Sequence, residues 1–85
     1  MWVSSGSAVR VGLICNPAAG GGRARGRGER AAEELRRLGF VVDAFWSTGP
    51  MTAAHAATRM ALVNEALVVV GGDGTVNEVV NGLKG

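Results

Sequence analysis

One unbroken stretch does most to constrain the fold: Leu67-Val68-Val69-Val70-Gly71-Gly72-Asp73-Gly74-Thr75-Val76-Asn77-Glu78-Val79-Val80-Asn81-Gly82-Leu83. The run Leu67 to Val70 is short, apolar and mostly β-branched, which suits a strand buried on both faces of a parallel sheet. Beyond the glycines, Val76, Val79, Val80 and Leu83 fall at i, i+3, i+4 and i+7. That spacing predicts a helix over Thr75 to Leu83 whose apolar face packs back on the sheet. The turn Gly71 to Gly74 then joins a strand's carboxyl end to a helix's amino end, where unpaired N–H groups and the helix dipole favour an anion. Phosphate fits best. Three glycines in four positions let backbone approach phosphate oxygens without an intervening Cβ, and allow positive φ where a tight turn needs it.

Asp73 runs against a plain anion cradle. Its carboxylate would repel phosphate by roughly 4 kcal/mol for unit charges ~4 Å apart at an effective dielectric of ~20. A cation or a transferable proton between the two resolves this: Mg²⁺ on a nucleotide's phosphates, or the hydroxyl that attacks. Taken alone, Gly-Asp-Gly is better read as a simple strand-to-helix turn with Asp73 or Thr75 as N-cap. The rest of the chain reverses that preference.

Upstream the same alternation recurs. Val9 to Cys15 reads as a first strand, with Val9, Val11, Leu13 and Cys15 on one face and Ile14 on the other. A glycine-arginine loop from Asn16 to Gly28 leads into a helix over about Glu29 to Leu38, with Ala31, Leu35 and Leu38 on one face. Gly39 ends it, with Phe40 placed as in a Schellman stop. Val41 to Trp46 forms the second strand, and Pro50 takes the first position of a helix reaching about Asn64, with Ala53, Ala57, Met60 and Asn64 along one side. The order βαβαβα predicts an α/β fold, a three-layer parallel sheet with right-handed crossovers. In the common 2-1-3 strand order the loops after the first and third strands are neighbours, and ligands bind at the strands' carboxyl ends. Eight of the 14 glycines lie in Gly20 to Gly28 and Gly71 to Gly74, so both glycine-rich loops should face one crevice.

An 85-residue chain makes one small domain with a thin core, burying roughly 60–65% of its unfolded surface. The net charge of +2 is modest and by itself says little about nucleic acid or membrane; no nucleic-acid partner is expected. Cys15 is the one cysteine, so no internal disulfide forms and a reducing, cytoplasmic setting fits. The opening Met1 to Ser7 lacks a basic region followed by an apolar run. It is read as a flexible lead-in over residues 1–8, neither signal peptide nor membrane span.

Other motifs carry less. Neither glycine loop ends in Gly-Lys-Ser/Thr, which rules out a P-loop. Gly26-Arg27-Gly28-Glu29-Arg30-Ala31 matches the dinucleotide fingerprint formally, with Asp43 on the next strand, but it stands too far from the first strand. Arg23, Arg25, Arg27 and Arg30 suit nucleotide phosphates or acidic lipid headgroups, against a plain solvated face for most of them. His55 has no metal-spaced partner and reads as a surface or cap residue. Asn77 and Glu78 project from the first turn of the site helix, where Glu78 either complements the dipole or braces the loop and reaches a metal-bound water.

The run Gly71 to Leu83, with Asn16-Pro17-Ala18-Ala19-Gly20 after the first strand, resembles the diacylglycerol kinase catalytic-domain family, which includes sphingosine, ceramide and bacterial lipid kinases. Gly-Gly-Asp-Gly-Thr is shared with NAD kinases and phosphofructokinases, and the Glu-Val-Val-Asn-Gly continuation and the Asn-Pro loop point to the lipid-kinase branch. The resemblance implies that residues 9–85 form the amino-terminal, nucleotide-binding half of a phosphofructokinase/NAD kinase/lipid kinase-like fold. It implies that Asn16, Pro17, Ala18, Ala19 and Gly20 form the first nucleotide loop, and Gly72, Asp73, Gly74, Thr75, Val76, Asn77 and Glu78 the second. Thr48 corresponds to a hydroxyl contact, with Ser47 and Thr52 nearby, and Asp73 to the catalytic motif aspartate beside the transferred phosphate. ATP with Mg²⁺ is the implied phosphoryl donor, and a lipid hydroxyl at the membrane surface the acceptor. The protein is expected to be cytoplasmic and peripheral to the membrane. A second, largely β domain would carry the acceptor pocket and metal-site acids, so this chain alone is expected to be inactive and assigns no metal ligand. The uncovered edge of the third strand invites homo-oligomers. An NAD kinase-like enzyme and a non-catalytic nucleotide-binding module are the competing readings.

Overall fold

A computed structural model describes residues 9–84; the lead-in expected over residues 1–8 lies outside them. The elements are β1 (Arg10–Cys15), α1 (Arg23–Arg37), β2 (Val41–Trp46), α2 (Thr52–Met60), β3 (Ala66–Val70) and α3 (Asp73–Lys84). The strands form one sheet in the order β2-β1-β3, both pairings parallel. This is the α/β arrangement that the element order predicts. With a neighbour on each side and helices on both faces, β1 is the core: Leu13, Ile14 and Cys15 are fully buried. Ile14 clusters with Ala53, Ala56, Ala57 and Met60 of α2 and Val79 of α3, while α1 lies against the Cys15 face. As an edge strand, β3 is only half-buried from Leu67 to Val70, so the expected burial on both faces holds for β1 instead.

The helix expected from Glu29 starts at Arg23, and Gly26, Arg27 and Gly28 lie inside it. Gly28 is there for close approach: a Cβ would stand 2.7 Å from Cys15 Sγ and 2.8 Å from Trp46 Cζ3. The buried face is accordingly Ala24, Gly28 and Ala32, and Leu38 of the expected Ala31-Leu35-Leu38 face is 60% exposed. Gly28→Val should lower stability by about 1–3 kcal/mol through overpacking, read as a lower thermal midpoint. An unchanged midpoint would show that α1 does not sit this close. The Schellman stop forms as expected, with Gly39 at φ 99°. The Phe40 N–H donates to the Leu35 carbonyl at 3.0 Å and the Gly39 N–H to the Arg36 carbonyl at 3.0 Å.

α3 is rotated from the face its valines suggest. Thr75 and Val79 are buried, whereas Val76, Val80 and Leu83 are 44%, 44% and 50% exposed. The cause is Gly82, where a Cβ would overlap the Ala54 carbonyl oxygen. At this contact the two backbones nearly touch, and Thr58 Oγ1 donates to the Gly82 carbonyl at 2.9 Å. The small residue, rather than the valine stripe, decides which side of α3 faces inward.

Candidate functional site

All three strands end level at one edge of the sheet. The Asn16 N–H donates to the Val70 carbonyl at 2.9 Å, and the Ser47 N–H to the Cys15 carbonyl at 2.8 Å. The loops after β1, β2 and β3 are thereby tied together at the carboxyl edge, where ligands of such sheets bind.

Each loop owes its shape to local chemistry. After β1, Asn16 Oδ1 accepts the Ala18 N–H at 3.2 Å, an Asx turn. Gly20, Gly21 and Gly22 follow at φ 65°, 69° and 95°, a left-handed run that only glycine adopts readily. After β2, the Thr52 N–H donates to the Gly49 carbonyl at 3.3 Å across Pro50 and Met51, the latter at φ 67°. Pro50 therefore occupies the second place of a tight turn, the pattern of type II, rather than the first position of α2. The Thr52 hydroxyl is committed to this turn, donating to the Gly49 carbonyl at 2.8 Å and facing the Thr48 N–H at 3.3 Å. After β3, the Gly72 carbonyl accepts the Thr75 and Val76 N–H groups at 3.1 and 3.2 Å, so Gly72 occupies the cap position. Neither Asp73 nor Thr75 caps α3, and none of Gly71, Gly72 and Gly74 has positive φ; at this edge the left-handed glycines are those of the first loop instead.

The three helices thus begin at one edge. α1 and α2 have no side-chain cap and no acidic residue in the first turn, and α3 follows a glycine. The N–H groups of Arg23, Ala24, Thr52 and Thr75 are already bonded within the loops, and the remaining ones at the helix starts can meet an anion.

A cleft of about 400 Å³ lies among these loops, lined by Asn16, Ala18, Ser47, Thr48, Gly49, Pro50 and Glu78. Of the residues expected at the site, Asn16, Ala18, Thr48 and Glu78 meet there. Pro17, Ala19 and Gly20 complete the same turn behind the lining. Gly72, Asp73 and Gly74 lie exposed at the start of α3, with Val76 and Asn77 exposed on its next residues and Thr75 buried beneath. Ser47, Gly49 and Pro50 join the lining beyond the expected set; the Ser-Thr-Gly-Pro turn after β2 is the signal that marks them. Glu78 Oε1 is buried and has no hydrogen-bond partner among the described residues. A larger groove of about 460 Å³, bounded by α1 and by Ala44 and Trp46 of β2, lies outside the ring of loops that joins β1 and β3.

Cys15 ends β1 directly beneath the first loop. Burial pushes its thiol above the ordinary value of 9.0, outweighing the charge of Arg25, which acts the other way. Such a thiol is core rather than nucleophile. Because its folded pKa is raised, the stability it contributes is present below about pH 9 and is lost as pH rises through the folded value. Urea midpoints should therefore fall on the alkaline side, and Cys15→Ala should flatten that fall. Equal alkaline slopes in the two proteins would contradict the burial.

Gly26 and Gly28 sit inside α1, so no dinucleotide fingerprint spans a strand-to-helix turn. Together, the parallel sheet, its 2-1-3 order and a cleft at the carboxyl edge define an α/β ligand-binding unit. Residues 10–85 match the family described as "Diacylglycerol kinase catalytic domain", and the chain belongs to that family of lipid kinases, which are transferases. It is 33% identical over 75 residues to a diacylglycerol kinase of Bacillus subtilis (strain 168). The match covers 87% of this chain and 25% of that relative, so the chain spans about a quarter of the relative's length. Among the described residues no helix is long and apolar enough to cross a membrane.

Proposed function

We propose that this chain supplies the nucleotide-binding half of an ATP-dependent lipid kinase, which moves the γ-phosphoryl group of ATP to a lipid hydroxyl. The observation that carries this reading is the tying of the first and third loops at one edge, through the Asn16 N–H and the Val70 carbonyl, beside a cleft large enough for part of a nucleotide. In the first loop the Gly20 N–H, and in the second the N–H groups of Gly72, Asp73 and Gly74, hold the phosphates, and Thr48 offers its hydroxyl at the rim. Asp73 stands where the phosphoryl group transfers. The acceptor hydroxyl gives its proton to a general base of the complete enzyme while its oxygen bonds to the γ-phosphorus; the bond to the β–γ bridging oxygen breaks, and ADP leaves with that electron pair. Positioning and charge compensation do most of this work.

Mg²⁺ suits an oxygen donor such as Glu78 Oε1, which is buried without a partner among the described residues. Among the described residues there is no group of three or more ligating side chains, so the ion would be held chiefly by phosphate oxygens, water and acids beyond this chain, with Glu78 the nearest donor in the cleft. When bound, it neutralises phosphate charge. The acceptor pocket belongs to a part of the enzyme beyond this chain, which is therefore inactive alone, and the complete enzyme works at the cytoplasmic surface of a membrane. The outer edge of β3, unpaired among the described residues, supports self-association.

The test is transfer of radiolabel from γ-labelled ATP by the complete enzyme carrying this chain, offered diacylglycerol in detergent micelles or NAD. Label in the lipid is expected. Label in NAD would move the reading to an NAD kinase-like enzyme, and nucleotide binding without transfer would leave a non-catalytic module.

A further inference from the structure

The groove of about 460 Å³ beside β2 lies apart from the nucleotide cleft. Ala44 and Trp46 of β2 floor it, and Glu29, Arg30, Glu33 and Arg36 of α1, all exposed, rim it. β2 is an edge strand, with β1 on one side and no partner on the other among the described residues. The Val41 and Ser47 N–H groups donate to the Val9 and Cys15 carbonyls. By strand alternation the backbone groups of Val42, Ala44 and Trp46 therefore point to the open edge, and the side chains of Ala44 and Trp46 share one face, the groove floor. Free backbone and groove thus form one surface that fits an added strand. Asp43, the one charge on β2, does not guard that edge. Its carboxylate lies on the opposite face, where it accepts a hydrogen bond from Asn64 Nδ2 at 3.2 Å.

We infer that a second copy of this chain adds its own β2 here, antiparallel about a twofold axis beside Ala44, to make one six-stranded sheet. Charge and register both select this occupant. Along α1 the rim reads minus, plus, minus, plus from Glu29 to Arg36, a row with no net sign. Turned end for end, the same row places Arg36 of the second copy opposite Glu29, and Glu33 of the second copy opposite Arg30. Among the described residues the ion pair on α1 joins Glu34 and Arg37, neither of them on the rim. As for register, Gly28 packs against Trp46, and α1 runs back along the sheet from there. Four residues of helix and two of strand, about 6 and 6.6 Å, bring Ala32 level with Ala44, so an axis at Ala44 meets the middle of the charged row. Gly28 also touches Cys15, which sets α1 over β1 and β2 together. With strands ~4.8 Å apart, the two α1 axes then stand roughly 10 Å from each other, at helix packing distance, and each fills the other's groove. This docking does not depend on the kinase reading, and it uses neither the cleft nor the outer edge of β3.

The experiment is sedimentation velocity of the protein over a concentration series. Wild type should pass from monomer to dimer as concentration rises. The double variant Glu29→Arg, Glu33→Arg makes the rim wholly basic, and Arg30→Glu, Arg36→Glu makes it wholly acidic. Each alone should dimerise about 100-fold more weakly, because like charges then face each other. An equimolar mixture of the two should dimerise again. Ala44→Pro tests the backbone: the Ala44 N–H points outward, so proline costs the monomer no ladder bond but blocks the added strand. It should leave a folded monomer, and circular dichroism checks the fold of every variant. A wild type that stays monomeric at every concentration would overturn the inference, as would a mixture that fails to restore dimers. Dimers that survive both the charge variants and Ala44→Pro would place self-association elsewhere, as at the edge of β3, and overturn it too.

Discussion

Gly82→Val is expected to destabilise the protein by about 3 kcal/mol, the upper end of what overpacking does. The atom in the way is the Ala54 carbonyl oxygen, part of a helix backbone that cannot step aside as a side chain can. Moving α3 outward would also break the Thr58 Oγ1 bond to the Gly82 carbonyl and open the cluster around Val79. Removing a helical glycine returns only about 1 kcal/mol at most, so packing wins. Urea unfolding should show a lower midpoint with an unchanged slope. A midpoint equal to wild type would mean that α2 and α3 do not meet at Gly82.

Asp73→Asn should lower kcat of the complete kinase by about 100-fold or more, in the range typical of a lost group acting on the transferring atoms. Asp73 is exposed at the first residue of α3, so stability should hardly move, and a large loss of rate with an unchanged unfolding midpoint is the expected signature. A variant with wild-type kcat would remove Asp73 from the chemistry and leave it as a residue that merely complements the helix dipole.

The strands were legible because their patterns are local: β2 has the expected bounds, and β1 and β3 differ from expectation by one residue at their amino ends. The adjacency of the loops after β1 and β3 was legible too, since it follows from strand order. Glycine itself was read less well. Gly26 and Gly28 look like loop residues, yet they are helical, because Gly28 admits Cys15 and Trp46; a small residue needed for contact looks in sequence like one needed for a turn. The inward face of α3 was misjudged for the same reason, as Gly82 leaves no trace in a search for apolar periodicity. In the site, Asn16 and Glu78 could be singled out by residue type. The Ser47–Pro50 wall depends on a turn with Met51 at positive φ, which non-glycine residues seldom show.

The most direct test of a nucleotide cleft between Asn16, Thr48 and Glu78 is calorimetric titration of the protein with Mg-ATP, alongside Glu78→Gln and Gly72→Val. Saturable binding by wild type, weakened by both substitutions and not reproduced by NAD, is the expected result. Binding of ATP that neither substitution alters would place the nucleotide elsewhere on the fold and contradict the assignment of this cleft.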